Sequence, residues 1–153
     1  MRLRPLTETT QERCFRFRGE PFIAHQLRLL QSRGIERVVL CVGYLGEQVR
    51  DFVGTGDAFG LVVDYSWDES IPFGTAGALQ RALPKLGDAF FVIYGDSYLP
   101  CDYKAAQDTF LQSAKQALMT VSRNDGQWDA SNVEFWGGRI VAYDKRRRTP
   151  RMR

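Results

Sequence analysis

The stretch Arg37-Val38-Val39-Leu40-Cys41-Val42-Gly43-Tyr44-Leu45-Gly46-Glu47-Gln48-Val49-Arg50-Asp51-Phe52-Val53 decides the fold class. Its first six residues form a short apolar, β-branched run, the pattern of a strand buried on both faces. Gly43 breaks that run. Beyond it Leu45, Val49 and Phe52 recur at helical spacing on one face. A buried strand, a glycine turn and an amphipathic helix in succession make the first half of a βαβ unit.

The same alternation extends outward in both directions. Upstream, Pro21 opens a helix whose stripe includes Ile23, Leu27 and Leu30, and Gly34 stops it. Downstream, residues 61–66 read as a strand and 74–83 as a helix ended by Pro84 and Gly87. Residues 90–94 are the clearest buried strand in the chain. Residues 102–116 are helical, with Tyr103, Ala106, Phe110 and Ala114 aligned, and 117–122 form a further strand. Residues 133–136 and 139–143 flank Gly137-Gly138, a two-residue hairpin turn. The rhythm predicts an α/β fold, a mostly parallel sheet with helices on both faces. Residues 1–144 read as one domain and residues 145–153 as a basic C-terminal tail.

Composition narrows the function classes. The chain has 153 residues, of which 44% are apolar and 25% charged, enough to bury a core. No apolar run approaches the ~20 residues of a membrane helix, so no membrane partner is expected. The formal net charge of +3 is unevenly spread. Residues 145–153 hold six basic side chains and no acid, whereas residues 19–144 hold ten basic and sixteen acidic side chains. An acidic body is a poor binder of a nucleic-acid backbone, so no nucleic-acid partner is expected. Cys14, Cys41 and Cys101 are odd in number and scattered, which suggests a reducing, cytoplasmic compartment.

Open α/β sheets bind ligands at the carboxyl ends of their strands. Two turns stand out there, Gly43-Tyr44-Leu45-Gly46 and Gly95-Asp96-Ser97, and a third glycine-rich turn, Gly74-Thr75-Ala76-Gly77, opens a helix directly. A glycine-rich helix start can offer backbone N–H groups to a phosphate; plain helix capping and close packing is the simpler alternative. A carboxylate after a buried strand, Asp96, is placed to hold Mg²⁺ against a substrate phosphate. Its alternative is a turn aspartate bonded to its own backbone. His25, within a helix stripe, reads as a packing or surface residue rather than a base. Trp67, Trp128 and Trp136 read as core or turn packing.

Read together, Arg2-Leu3-Arg4-Pro5-Leu6-Thr7, Gly19-Glu20-Pro21, His25-Gln26-Leu27, Gly34-Ile35, Val42-Gly43-Tyr44-Leu45, Gly74-Thr75-Ala76-Gly77-Ala78-Leu79 and Tyr94-Gly95-Asp96 resemble the sugar-1-phosphate nucleotidyltransferases, in order and nearly end to end. The resemblance implies a Rossmann-like sheet of the nucleotide-diphospho-sugar transferase type. It also implies that an NTP and a sugar 1-phosphate react to give a nucleotide-sugar and pyrophosphate, with Mg²⁺ as cofactor. Arg2 matches the catalytic arginine that closes the family's phosphate loop. Gly74, Thr75, Ala76 and Gly77 match the turn that meets nucleoside and sugar, and Asp96 matches the first metal aspartate. Asn132 and Glu134 resemble the segment that meets the sugar, and Lys145 the lysine that reaches its phosphate. Association of copies into a homo-oligomer is compatible with all of this.

The departures from the family pattern carry expectations of their own. The family places a buried strand and a glycine-rich loop before the arginine, whereas here Met1 stands directly before Arg2. A phosphate-contacting lysine is expected about where Glu12 stands, and the second metal aspartate lies past residue 153. The chain is therefore expected to be an incomplete form of the domain with impaired activity. The rival reading is a non-catalytic module that keeps the fold to bind a nucleotide-sugar or a partner. The motifs leave the base and the sugar open.

Overall fold

The structure, a computed structural model, describes residues 16–68, 74–125, 127 and 130–152. In chain order the elements are β1 (Arg16–Phe17), β2 (Glu20–Pro21), α1 (Phe22–Ser32), β3 (Arg37–Val42), α2 (Gly46–Val53), β4 (Val62–Trp67), α3 (Gly74–Ala82), α4 (Tyr103–Ser113), β5 (Val133–Trp136) and β6 (Arg139–Tyr143). The chain divides into two compact units, Met1–Tyr103 and Lys104–Arg153.

The first unit is built on the βαβ unit that the opening stretch predicts. β3 and β4 pair in parallel, from Arg37 opposite Val62 to Val42 opposite Trp67. The ladder is extended at both ends, where Val62 N–H bonds Glu36 O at 2.9 Å and Asp68 N–H bonds Val42 O at 2.8 Å. Strand alternation sends Leu40, Val42 and Val63 to one face. There they form a core with Ile23 and Leu27 of α1, Val49 and Val53 of α2, and Leu61. Each such aliphatic side chain contributes roughly 1.5–3 kcal/mol when fully buried. Cys41 points to the opposite face, and its thiol approaches Ala78 O of α3 at 3.8 Å. Helices thus cover both faces of this parallel pair. Gly46 opens α2 where space is short: a Cβ there would lie 2.9 Å from Trp67 Cζ3 and 2.9 Å from Val42 Cβ.

α1 begins after Pro21 and ends before Gly34, as its residues predict. Pro21 presets an extended entry, and Gly34 takes a positive φ just beyond the last turn. In the second unit β5 and β6 pair antiparallel across Gly137-Gly138. Both glycines have positive φ, +58° and +76°, as a two-residue hairpin turn requires.

Two expected strands differ from the reading. Residues 90–94 and 117–122 form no ladder among the described residues. Phe90, Phe91, Val92 and Tyr94 are exposed, as are Leu118, Met119 and Val121. Their apolar patterning states what a strand would bury, but a strand also needs a neighbour to pair with. Among the described residues no strand pairs with either run, and the sheets have two strands each. The architecture is mixed α/β with one parallel pair.

Candidate functional site

The carboxyl ends of β3 and β4 bring Gly43, Asp68 and Arg81 together. After β3 the chain passes through Gly43, Tyr44 and Leu45; Leu45 adopts φ +57°, and the Tyr44 side chain stands 74% exposed. After β4 comes Asp68, whose carboxylate lies beside Gly43. Arg81 of α3 donates from Nη1 to Asp68 Oδ1 at 3.4 Å.

α3 starts at Gly74, with φ +69°, a backbone state that disfavours any side chain. Gly74, Thr75 and Ala76 are exposed and Gly77 is half-buried. The helix is fixed farther along, by buried Ala82 and by Ala78 against Cys41. The glycine turn is therefore an open helix start with backbone N–H groups free of helical partners.

Asp96 occupies a tight turn rather than the end of a ladder strand. Ser97 N–H bonds Tyr94 O at 3.1 Å to close that turn. Asp96 is exposed, and its Oδ1 accepts the Ser97 hydroxyl at 3.2 Å. The turn is held from below by Gln26 of α1. This buried side chain donates its Nε2 to Ser97 O at 2.7 Å and to Tyr94 O at 3.2 Å. Sequence reasoning quoted Gln26 only as part of a motif. Its signal was a polar side chain set between the apolar positions Ile23 and Leu27, where burial demands partners. The Asp68–Arg81 pair was missed too, because a carboxylate just past a strand and an arginine in a later helix carry no spacing signal.

Gly74, Thr75, Ala76, Gly77 and Asp96 belong to the first unit, and Asn132, Glu134 and Lys145 to the second. Arg2 lies outside the described residues, as do Cys14 and Trp128. In the second unit Asn132 O accepts Asp144 N–H at 3.0 Å, the bond just outside the hairpin. Glu134 accepts the Thr149 hydroxyl at 3.3 Å and lies 3.8 Å from Arg151 Nη1. Lys145 is exposed, in a bend organised by Asp144. Backbone N–H groups of Arg147 and Arg146, at 2.9 and 2.7 Å, hold the Asp144 carboxyl below its usual range.

His25 bonds Phe17 O through Nε2 at 3.0 Å and meets the Phe17 ring edge-on. Since a carbonyl only accepts, Nε2 carries the proton, and His25 serves as a packing residue. Trp67 packs beside Tyr65 with the Arg50 guanidinium over it. Trp136 is 81% exposed beside the hairpin turn, so it is not a core residue.

Mg²⁺ demands hard oxygen ligands in octahedral array. Among the described residues no group of three His, Cys, Asp or Glu side chains is arranged to hold a metal. One exposed carboxylate, Asp96, fits an ion that arrives with a phosphate and keeps most of its waters, not a caged resident ion.

The first unit thus joins a parallel βαβ pair with a glycine-rich helix start and a turn aspartate. The nucleotidyl transferase family model matches residues 1–129. The chain belongs to the nucleotidyl transferase family. Within it, the chain is 37% identical over 109 residues to the N-acetylmuramate alpha-1-phosphate uridylyltransferase of Neisseria meningitidis, covering 71% of the chain and 47% of the relative. It is 39% identical over 106 residues to the mannose-1-phosphate guanyltransferase of Kluyveromyces lactis, covering 67% and 28%. The glucose-1-phosphate thymidylyltransferase of Streptomyces antibioticus is 30% identical over 154 residues, covering 98% and 43%. Among solved structures, HddC from Yersinia pseudotuberculosis superposes with a TM-score of 0.61 at 28% identity, covering 65% of this chain and 44% of that one. The chain spans less than half the length of each of these nucleotidyl transferase relatives and of HddC.

Proposed function

We propose that this chain is the nucleotide-binding part of a sugar-1-phosphate nucleotidyltransferase. In this reaction the phosphate oxygen of a sugar 1-phosphate attacks the α-phosphorus of an NTP. Pyrophosphate leaves and a nucleotide-sugar forms. The observation that carries the reading is the exposed Gly74-Thr75-Ala76-Gly77 helix start, on a helix anchored at the carboxyl ends of a parallel pair. Its N–H groups suit a phosphate or the edge of a nucleoside. The Rossmann-like completion of the sheet belongs to the same proposal, and so does self-association of the chain.

Each residue's role follows from its chemistry. Asp96 would hold Mg²⁺ brought by the triphosphate, and the ion would neutralise charge on the phosphates. Residues 74–77 bind and orient the nucleotide. Arg2 stabilises charge on the phosphates. Asn132 and Glu134 meet sugar hydroxyls, and Lys145 meets the sugar phosphate. Nothing here acts as a nucleophile, so catalysis is positioning and electrostatics. The three relatives named differ in base and in sugar, which supports the reaction class and leaves the individual substrates to experiment. Cys41 and Cys101 form no disulfide among the described residues, which supports a cytoplasmic, reducing setting. No described helix is long and apolar enough to cross a membrane.

The test is pyrophosphate release, measured across NTPs and sugar 1-phosphates in the presence of Mg²⁺. One pairing should stand out. Release with no pairing would remove the reaction, and binding of no NTP at all would refute the nucleotide site.

A further inference from the structure

We infer that the Asp68–Arg81 pair is the positioning device that holds the glycine turn of α3 in its nucleotide-ready place. This inference rests on the function proposed above for that turn. Asp68 is fixed on its own side by its N–H bond to Val42 O at 2.8 Å, which locks it in line with the end of β3. Its carboxylate lies beside Gly43, where a Cβ would come within 3.5 Å of Asp68 Cβ and Oδ2. Gly43 thus lies at van der Waals range of that carboxylate. From this fixed point Oδ1 accepts from Arg81 Nη1 at 3.4 Å, so the strand ends and the last turn of α3 are joined by one ion pair.

The pair differs from the other ion pairs of the described residues. Its side chains are 25% and 28% exposed, whereas every other described pair has at least one partner half exposed or more. Exposed pairs contribute little because water and salt screen them. Partly buried pairs resist separation, since breaking one strands a desolvated charge.

Leverage does the rest. Gly74 has nothing within 4 Å of its missing Cβ, and the first three residues of α3 are exposed. Among the described residues the turn is held through the helix, by Ala78, Arg81 and Ala82. A helix is stiff over two turns, so fixing Arg81 fixes the direction of Gly74. Asp68 and Arg81 act through the turn and do not touch substrate.

The test uses the full chain with Asp68→Asn, Arg81→Gln and the double variant. Amide hydrogen exchange is read at residues 78–80, whose N–H groups bond the carbonyls of residues 74–76 in α3, with residues 40–42 and 63–65 as the internal control for an intact fold. A titration with each of MgATP, MgGTP, MgCTP, MgUTP and MgdTTP runs in parallel. Either single variant should speed exchange at residues 78–80 about tenfold and leave the control unchanged. It should weaken the best MgNTP about fivefold, and the double variant should be no worse than the singles. Unchanged exchange at residues 78–80 in both variants overturns the positioning role, whatever the nucleotide arm shows. Faster exchange at the control residues as well overturns it too, because the pair is then part of the fold's general stability. Arg81→Lys, which keeps the charge, separates those cases by restoring protection only at residues 78–80 if the inference holds. Faster exchange at residues 78–80 with no NTP bound by the unaltered chain sinks the proposed function and leaves the positioning role standing.

Discussion

Gln26 and Ser97, seventy-one residues apart in the chain, are joined by a 2.7 Å bond from the Gln26 side-chain amide to the Ser97 carbonyl. Through it α1 holds the turn that carries Asp96. The bond gives the core a direct hand in the site. A buried donor cannot be left unmatched, and here the same Nε2 also serves Tyr94 O.

Gln26→Leu is expected to destabilise the chain by about 1–3 kcal/mol, because Ser97 O loses the Gln26 donor and Tyr94 O keeps only the Ser97 N–H while the shape is kept. Urea unfolding checks the loss. The same variant should loosen the Asp96 turn, seen as faster amide exchange at Ser97. Wild-type stability together with unchanged Ser97 exchange would remove Gln26 from this role.

Gly46→Ala tests the close approach at the start of α2. The added methyl meets Trp67 Cζ3 and Val42 Cβ at 2.9 Å, and ring and strand must shift to admit it. Overpacking of this kind costs about 1–3 kcal/mol. Unfolding curves give the cost, and the fluorescence of Trp67 in a chain whose other two tryptophans are replaced reports the shift directly. A stability equal to wild type would show that the site has room.

Leu27 is fully buried among Ile23, Leu40 and Val49. Leu27→Ala should cost about 2–5 kcal/mol, the sum of lost burial and a residual cavity. A smaller cost, below about 1 kcal/mol in chemical denaturation, would mean that the first unit's core is loosely packed.

Asp144 supplies the pH dependence. The Arg147 and Arg146 N–H groups favour its charged form, so its folded pKa lies below the ordinary 3.8. A depressed acid contributes stability that is fully present above its ordinary pKa and is lost as pH falls through the folded value. The bend at residues 144–147 should therefore hold at pH 5 and release only in strong acid. A carbon-detected titration of the Asp144 carboxyl reads this. A midpoint at or above 3.8 would show that the two N–H bonds are not kept in solution.

Much of this was legible before any coordinates. The βαβ unit was readable because residues 38–42 are apolar throughout and residues 45–53 turn to helical spacing, two local signals that agree with their packing. The hairpin was readable because Gly137-Gly138 permits the turn its strands require. Residues 90–94 show where local pattern stops: composition states a preference for burial, whereas a ladder depends on a neighbouring strand elsewhere in the chain. The glycine turn and Asp96 were legible as candidates from their place after apolar runs. Their supports were not, because Gln26 reaches Ser97 and Arg81 reaches Asp68 only through the folded chain.

The central claim is that this chain binds a magnesium nucleotide through Asp96 and the glycine turn. The most direct measurement is a calorimetric titration of five MgNTPs into the chain, repeated with Asp96→Asn and without Mg²⁺. The account predicts saturable binding of one nucleotide, weakened about tenfold or more by Asp96→Asn, in line with the ~1.5–3 kcal/mol of an interaction with a charged group. It also predicts that removing Mg²⁺ abolishes the difference between the two proteins, while their melting temperatures stay alike, since Asp96 is exposed. Equal MgNTP affinity in the wild type and Asp96→Asn would contradict it.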